Sequence, residues 1–316
     1  MHDRMRTLKQ VALAGVCVMS LAQAQAAVPE ECQTVRFSDP GWTDINVTNA
    51  ITTTLLEGLG YETSIDLLSV PIGFKSLQNN DIDVFLGNWM PAQQTFADQY
   101  EGGYERIRAN LEGAKFTLAV PQSVKDAGIN SFSDLDKHAE KFDKRIYGIE
   151  PGAPANNLIQ KMIDADEFGL GDWRLVESSE QGMLSQVNRA ARRDEFMVFL
   201  AWEPHPMNLQ QDLAYLSGGD EYFGPNYGGA TVYTLTRNGY TETCANVGEL
   251  LNNLEFTLDM ESEIMGAILN EGEDAGEAAQ QWLSQHPDVL DTWLAGVKTV
   301  DGEPGLPAVK QHLDAR

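Results

Sequence analysis

From residue 32 to residue 91 short apolar runs, turn clusters and a helical stripe succeed one another, and that alternation leaves few folds open. Residues 32–38 (CQTVRFS) alternate like a strand and end at the turn Asp39-Pro40-Gly41-Trp42. Ile45, Val47, Ile51, Leu55, Leu56 and Leu59 follow at helical spacing and stop at Gly60. Residues 61–70 are the next predicted strand, 71–80 a short helix, and 81–87 (DIDVFLG) a buried strand closed by Asn88-Trp89-Met90-Pro91. Strand, helix, strand, helix, strand predicts a parallel, doubly wound α/β sheet. A second set follows, with strands at 116–121 (FTLAVP), 145–149, 197–201 (MVFLA) and 230–236, and a helix from 156 to 166. From Glu242 onward the pattern is largely helical, and residues 217–229 (SGGDEYFGPNYGG) read as a linker.

The first 26 residues set the compartment. Arg4, Arg6 and Lys9 precede an apolar run from Val11 to Ala22, and small residues allow A-x-A cleavage near Ala24–Ala26. That is the pattern of a secretory signal peptide, and the run is shorter than the roughly 20 residues of a membrane span. No long apolar run follows, so a soluble exported protein is expected. The formal net charge is −25, from 22 Lys+Arg against 47 Asp+Glu, and the leader carries three of the basic residues and one acidic, so the mature chain stands at −27. Such acidity excludes a nucleic-acid binder, which needs a basic face, and opposes an anionic membrane surface. It is screened within about 10 Å, so it reads as solubility in a salty medium and not as ligand selectivity.

Cleavage removes Cys17 and leaves Cys32 and Cys244. An even pair in an oxidising compartment favours a disulfide; two separate thiols are the alternative. A bridge would bring the start of the chain to its last third. The expected division is lobe I from 27–114 and 213–316, with lobe II, 115–212, inserted, and with hinges at 113–115 and 218–229. Ligands of open α/β sheets bind beyond the carboxyl ends of the strands, and a cleft between two such lobes suits a small molecule.

Three tryptophans fall at such ends: Trp42, Trp89 and Trp202, in the polar or turn contexts PGWTD, GNWMP and AWEP. Phe116 opens a middle strand near the lobe crossover. Several ring faces on one cleft suit a quaternary ammonium, which has no N–H to donate and is stabilised by ring quadrupoles. Asp44 would add a carboxylate. The same rings serve equally to cover the core or to stack on a sugar, and Asp44 and Asn156 serve equally as helix caps.

At six places in order, DPGWTDI, DVFLGNW with MP, GAKFTLAVP, IEPGA, FLAWEPHPMN and YFGPNYGGATV, the chain resembles the choline-binding proteins of bacterial ABC importers, within the glycine betaine/proline betaine substrate-binding family. The resemblance spans about residues 30–300. It implies a two-lobed type II periplasmic binding protein, each lobe a mainly parallel sheet flanked by helices, that hands its ligand to permease subunits. It implies an aromatic box of Trp42, Trp89, Phe116 and Trp202, Asp44 beside the ammonium, and a Cys32–Cys244 disulfide. Two positions depart from the pattern. Phe116 stands where those proteins have tyrosine, and Ala153 stands where they have an asparagine near the choline hydroxyl, with Asn156 one helical turn on as a substitute. Choline is therefore the first expectation, with carnitine, glycine betaine or a related methylated osmolyte next and a carbohydrate more distant.

No cofactor, metal or catalysis is expected. His205 lies beside Glu203, but there is no G-x-S-x-G and no H-E-x-x-H, and Pro204 and Pro206 read as fixing a turn around the histidine.

Overall fold

The computed structural model describes residues 28–315, and the predicted leader lies outside them. Among the described residues nine strands are formed: β1 (Thr34–Asp39), β2 (Glu62–Leu67), β3 (Val84–Met90), β4 (Glu105–Pro121), β5 (Arg145–Tyr147), β6 (Arg174–Val176), β7 (Phe199–Glu203), β8 (Leu213–Tyr215) and β9 (Gly229–Thr236). Their order is β2-β1-β3-β9-β4-β7-β5-β6, with β8 beside the end of β4. Two parallel sets, β2-β1-β3 and β6-β5-β7, are joined through the antiparallel strands β9 and β4. With helices on their faces, these sets are the cores of two α/β lobes.

Strand β4 belongs to both. Its first part, Glu105 to Lys115, pairs with β9, and from Lys115 onward it pairs with β7 and then β8. Lys115 marks the crossing: it faces both Gly229 and Glu203, and its ammonium meets the Glu203 carboxylate at 2.9 Å. The sequence predicts only 116–121 of this strand. The upstream stretch ERIRANLEGAK slips register against β9 in three places, so it shows no clean period of two.

Strands β3 and β7 also run further than predicted, so Trp89 and Trp202 lie inside the ladders and not after them. Each strand ends one residue later, where Pro91 or Pro204 offers no N–H to continue. Both X-Pro bonds, Met90-Pro91 and Glu203-Pro204, are cis.

The helix Thr43–Gly58 is buried along nearly its whole length. It packs on helices Leu258–Gly266, Ala275–Gln285 and Gly305–Asp314 of the C-terminal region. Two of its threonines are satisfied locally, Thr52 and Thr53 donating to the carbonyls of Thr48 and Asn49. A disulfide joins Cys32 to Cys244 with Cα atoms 5.4 Å apart, across 212 positions. On loop-closure entropy such a link is worth at most roughly 5 kcal/mol. The 217–229 segment is no slack tether: Phe223 is fully buried there, edge-on to Phe116 at 5.6 Å and to Phe132 at 5.8 Å. Among the described residues, no helix is long and apolar enough to cross a membrane.

Candidate functional site

The ends of β1, β3 and β7 and the middle of β4 converge on one cavity. Trp42, Asp44, Trp89, Phe116 and Trp202 all line it, together with Ala92, Gln93, Ile149, Pro154, Ala155 and Leu200. The four rings are between 4% and 7% exposed. Trp42 arrives at the start of the helix Thr43–Gly58, where it holds the N-cap position, so Asp44 is not the cap. Phe116 and Trp202 are brought together by register, lying opposite each other on β4 and β7. Trp89 meets Phe116 edge-to-face at 6.4 Å.

Two of the indole N–H groups are committed to carboxylates. Trp89 Nε1 donates to Asp44 Oδ2 at 3.0 Å, and Trp42 Nε1 donates to Glu150 Oε1 at 2.9 Å. These bonds fix the planes of the rings while their faces stay available to the cavity. Asp44 is 2% exposed, and its second oxygen, Oδ1, has no hydrogen-bond partner. Burial first, and the charge of Glu180 second, push its carboxyl up to about 8. Burial likewise raises Glu150 to about 7 and Asp39 to about 6. On the helix Leu258–Gly266, Glu261 is buried as well, its Oε2 unpartnered; burial and the nearby Asp44 hold it well above the ordinary carboxylate range.

Ala153 and Asn156 are not among the lining residues. Ala153 caps the helix Pro154–Asp164 with its backbone. The Asn156 side chain is spent on the preceding loop: its oxygen accepts from Ile149 N, and its amide donates to the carbonyls of Ile149 and Glu150 and to Glu177. Pro154 and Ala155 form the cavity wall instead. Gln93 is the one amide side chain of the lining, held by Asn88 and by the Gly87 carbonyl.

The sequence did not signal Glu180, which ties the lobes together. Its carboxylate accepts from Thr43 N at 2.8 Å, from Thr43 Oγ1 at 2.7 Å and from His205 Nε2 at 3.0 Å. The His205 ring stands edge-on to Trp202, centroids 4.8 Å apart, so the histidine considered for catalysis packs on a cavity ring and bonds Glu180. No periodicity relates Thr43 to a glutamate 137 positions on; only the local pattern of a helix start at Ser179-Glu180 is legible.

Residues 33–285 match the family model of the substrate-binding domain of ABC-type glycine betaine transport systems. The chain belongs to this family. As a member of the glycine betaine transport family it superposes, with a TM-score of 0.89, on an ABC-transporter choline-binding protein in complex with choline, at 55% identity over 90% of this chain and 99% of that one. Against an ABC-transporter choline-binding protein in an unliganded semi-closed conformation, identity and coverage are the same and the TM-score is 0.83. The glycine betaine/carnitine transport binding protein of Listeria monocytogenes is 29% identical over 187 residues, 59% of this chain and 57% of that one. The family likeness carries the two-lobed type II architecture and the role of a transporter's substrate-binding protein.

Proposed function

We propose that this is a periplasmic, monomeric solute-binding protein that captures a quaternary ammonium compound, choline before its relatives, and delivers it to the permease subunits of an ABC importer. The observation that carries the reading is the unpartnered Oδ1 of buried Asp44 in a cavity walled by Trp42, Trp89, Phe116 and Trp202. Such a site suits a cation without N–H groups. Each ring face contributes about 0.5–2 kcal/mol, and the carboxylate adds a charge that burial strengthens.

The lining also separates candidates. It contains no Lys or Arg, and its one acid faces the same space, so the carboxylate of glycine betaine or carnitine would meet repulsion and no counter-charge. Choline has only a hydroxyl at that end. Lobe I is read as 27–114 with 213–316 and lobe II as 115–212. Hinges at 113–115 and 218–229 would let the lobes close.

Calorimetry with choline, acetylcholine, carnitine and glycine betaine tests this. Choline is expected to bind tightest, at micromolar Kd or better, which corresponds to about 8 kcal/mol. A protein whose tryptophan fluorescence responded to glucose or maltose and to none of these ammonium compounds would overturn the reading.

A further inference from the structure

Joining the two lobes brings acids together without bases. Glu180 opens the helix Glu180–Ala191 and takes both the amide and the hydroxyl of Thr43 across the cleft. Thr43 immediately precedes Asp44, so this contact sets a second buried carboxylate beside the one that lines the cavity. Trp42 and Glu150 make a parallel contact, and Glu150 is a third acid.

Every donor on Glu180 is uncharged. His205 Nδ1 accepts the Met207 N–H at 3.0 Å, which leaves the ring proton on Nε2 and the imidazole neutral. Glu180 itself accepts on both oxygens, the pattern of an ionised carboxylate. Among the described residues, no Lys or Arg is ion-paired with Asp44, Glu150 or Glu180. Hydrogen bonds therefore favour the closed arrangement, while gathering carboxyl groups in a dry, weakly screened site opposes it, through like-charge repulsion or through the protons taken up to relieve it. A monocation within the rings offsets that repulsion. An uncharged molecule of the same shape fills the rings and leaves the repulsion standing.

We propose that Glu180 makes lobe closure conditional on a positively charged ligand, so that the latch itself selects cations over uncharged molecules of the same shape. The inference rests on the quaternary-ammonium reading above. It assigns Glu180 a task that Asp44 and the rings do not have: they act on the ligand directly, whereas Glu180 acts on the open–closed equilibrium that the ligand shifts.

The test compares choline with its neutral carbon isostere, in which a tert-butyl group replaces trimethylammonium. Calorimetry gives affinities, and small-angle X-ray scattering reports closure, for the wild-type protein, Glu180→Gln and Thr43→Val. In the wild type, choline closes the lobes and the isostere leaves them open. Glu180→Gln is expected to lower the preference for choline over the isostere on the order of tenfold and to let the isostere close the protein. Thr43→Val removes a donor but keeps the acid, so it should weaken both ligands alike and leave the preference unchanged. If Glu180→Gln weakened both ligands equally, Glu180 would be a mechanical latch only. Full closure of the wild type by the isostere would overturn the inference without recourse to any variant. A wild type that bound no quaternary ammonium would overturn the ligand reading itself.

Discussion

Trp89 combines two functions in one side chain. Its ring lines the cavity, and its N–H holds Oδ2 of Asp44, so ring and carboxylate are fixed relative to each other. Trp89→Ala removes one ring face, worth about 0.5–2 kcal/mol, and strips Asp44 of its donor. Choline affinity measured by calorimetry should fall by at least about twofold to thirtyfold, the ring's share alone. Asp44→Asn should separate charge from shape. It keeps the volume and relieves the burial of an ionisable group, so the unliganded protein should melt no lower than the wild type while choline binding weakens at least tenfold, about 1.4 kcal/mol. A variant that melted lower and bound choline as before would make Asp44 a structural residue.

At the scale of elements, the position of Phe116 depends on how the 217–229 segment returns beside β4. Gly228 has φ +71°, and a Cβ there would lie 1.8 Å from the carbonyl oxygen of Phe116. Any side chain must push that segment or the Phe116 backbone aside. Gly228→Ala should therefore cost about 2–3 kcal/mol in chemical denaturation and weaken ligand binding with it. Gly218, at φ +88° with nothing near its missing Cβ, is the matched control: Gly218→Ala should cost less and leave affinity intact. The βα alternation and the nearness of the three tryptophans to strand ends were legible because hydrophobic period and turn residues are local signals. The upstream part of β4 was not, because its bulges against β9 break the period. Asn156 was misplaced because a polar residue on the first turn of a helix looks the same whether it faces a ligand or folds back on its own loop, as it does here onto Ile149 and Glu150. Glu180 and Thr43 meet only through the tertiary fold, and nothing in either segment announces the other.

For the whole molecule, the acids gathered between the lobes link proton binding to both stability and ligand binding, with opposite signs. Burial is the leading cause of each shift: Asp39 stands at about 6, Glu150 at about 7 and Asp44 at about 8, with Glu261 also well above its ordinary value. Between about pH 4 and about pH 8 the folded, unliganded protein therefore holds protons that the unfolded chain has released. Unfolding then sheds protons, so the stability of the empty protein should decline as pH rises through that window. A bound cation has the opposite preference, because it favours the ionised form of Asp44 and displaces its proton. Choline affinity should rise with pH by up to about tenfold per unit and level off above about pH 8. Melting temperatures of the empty protein and calorimetric affinities, taken together from about pH 5 to about pH 9, check both slopes. Calorimetry in buffers of different ionisation enthalpy should show proton release on binding at about pH 7, fading above about pH 8. Affinity that stayed flat across this range, with no proton released, would mean that Asp44 is already ionised in the empty cavity. The charge between the lobes would then have to be balanced by some group other than the ligand.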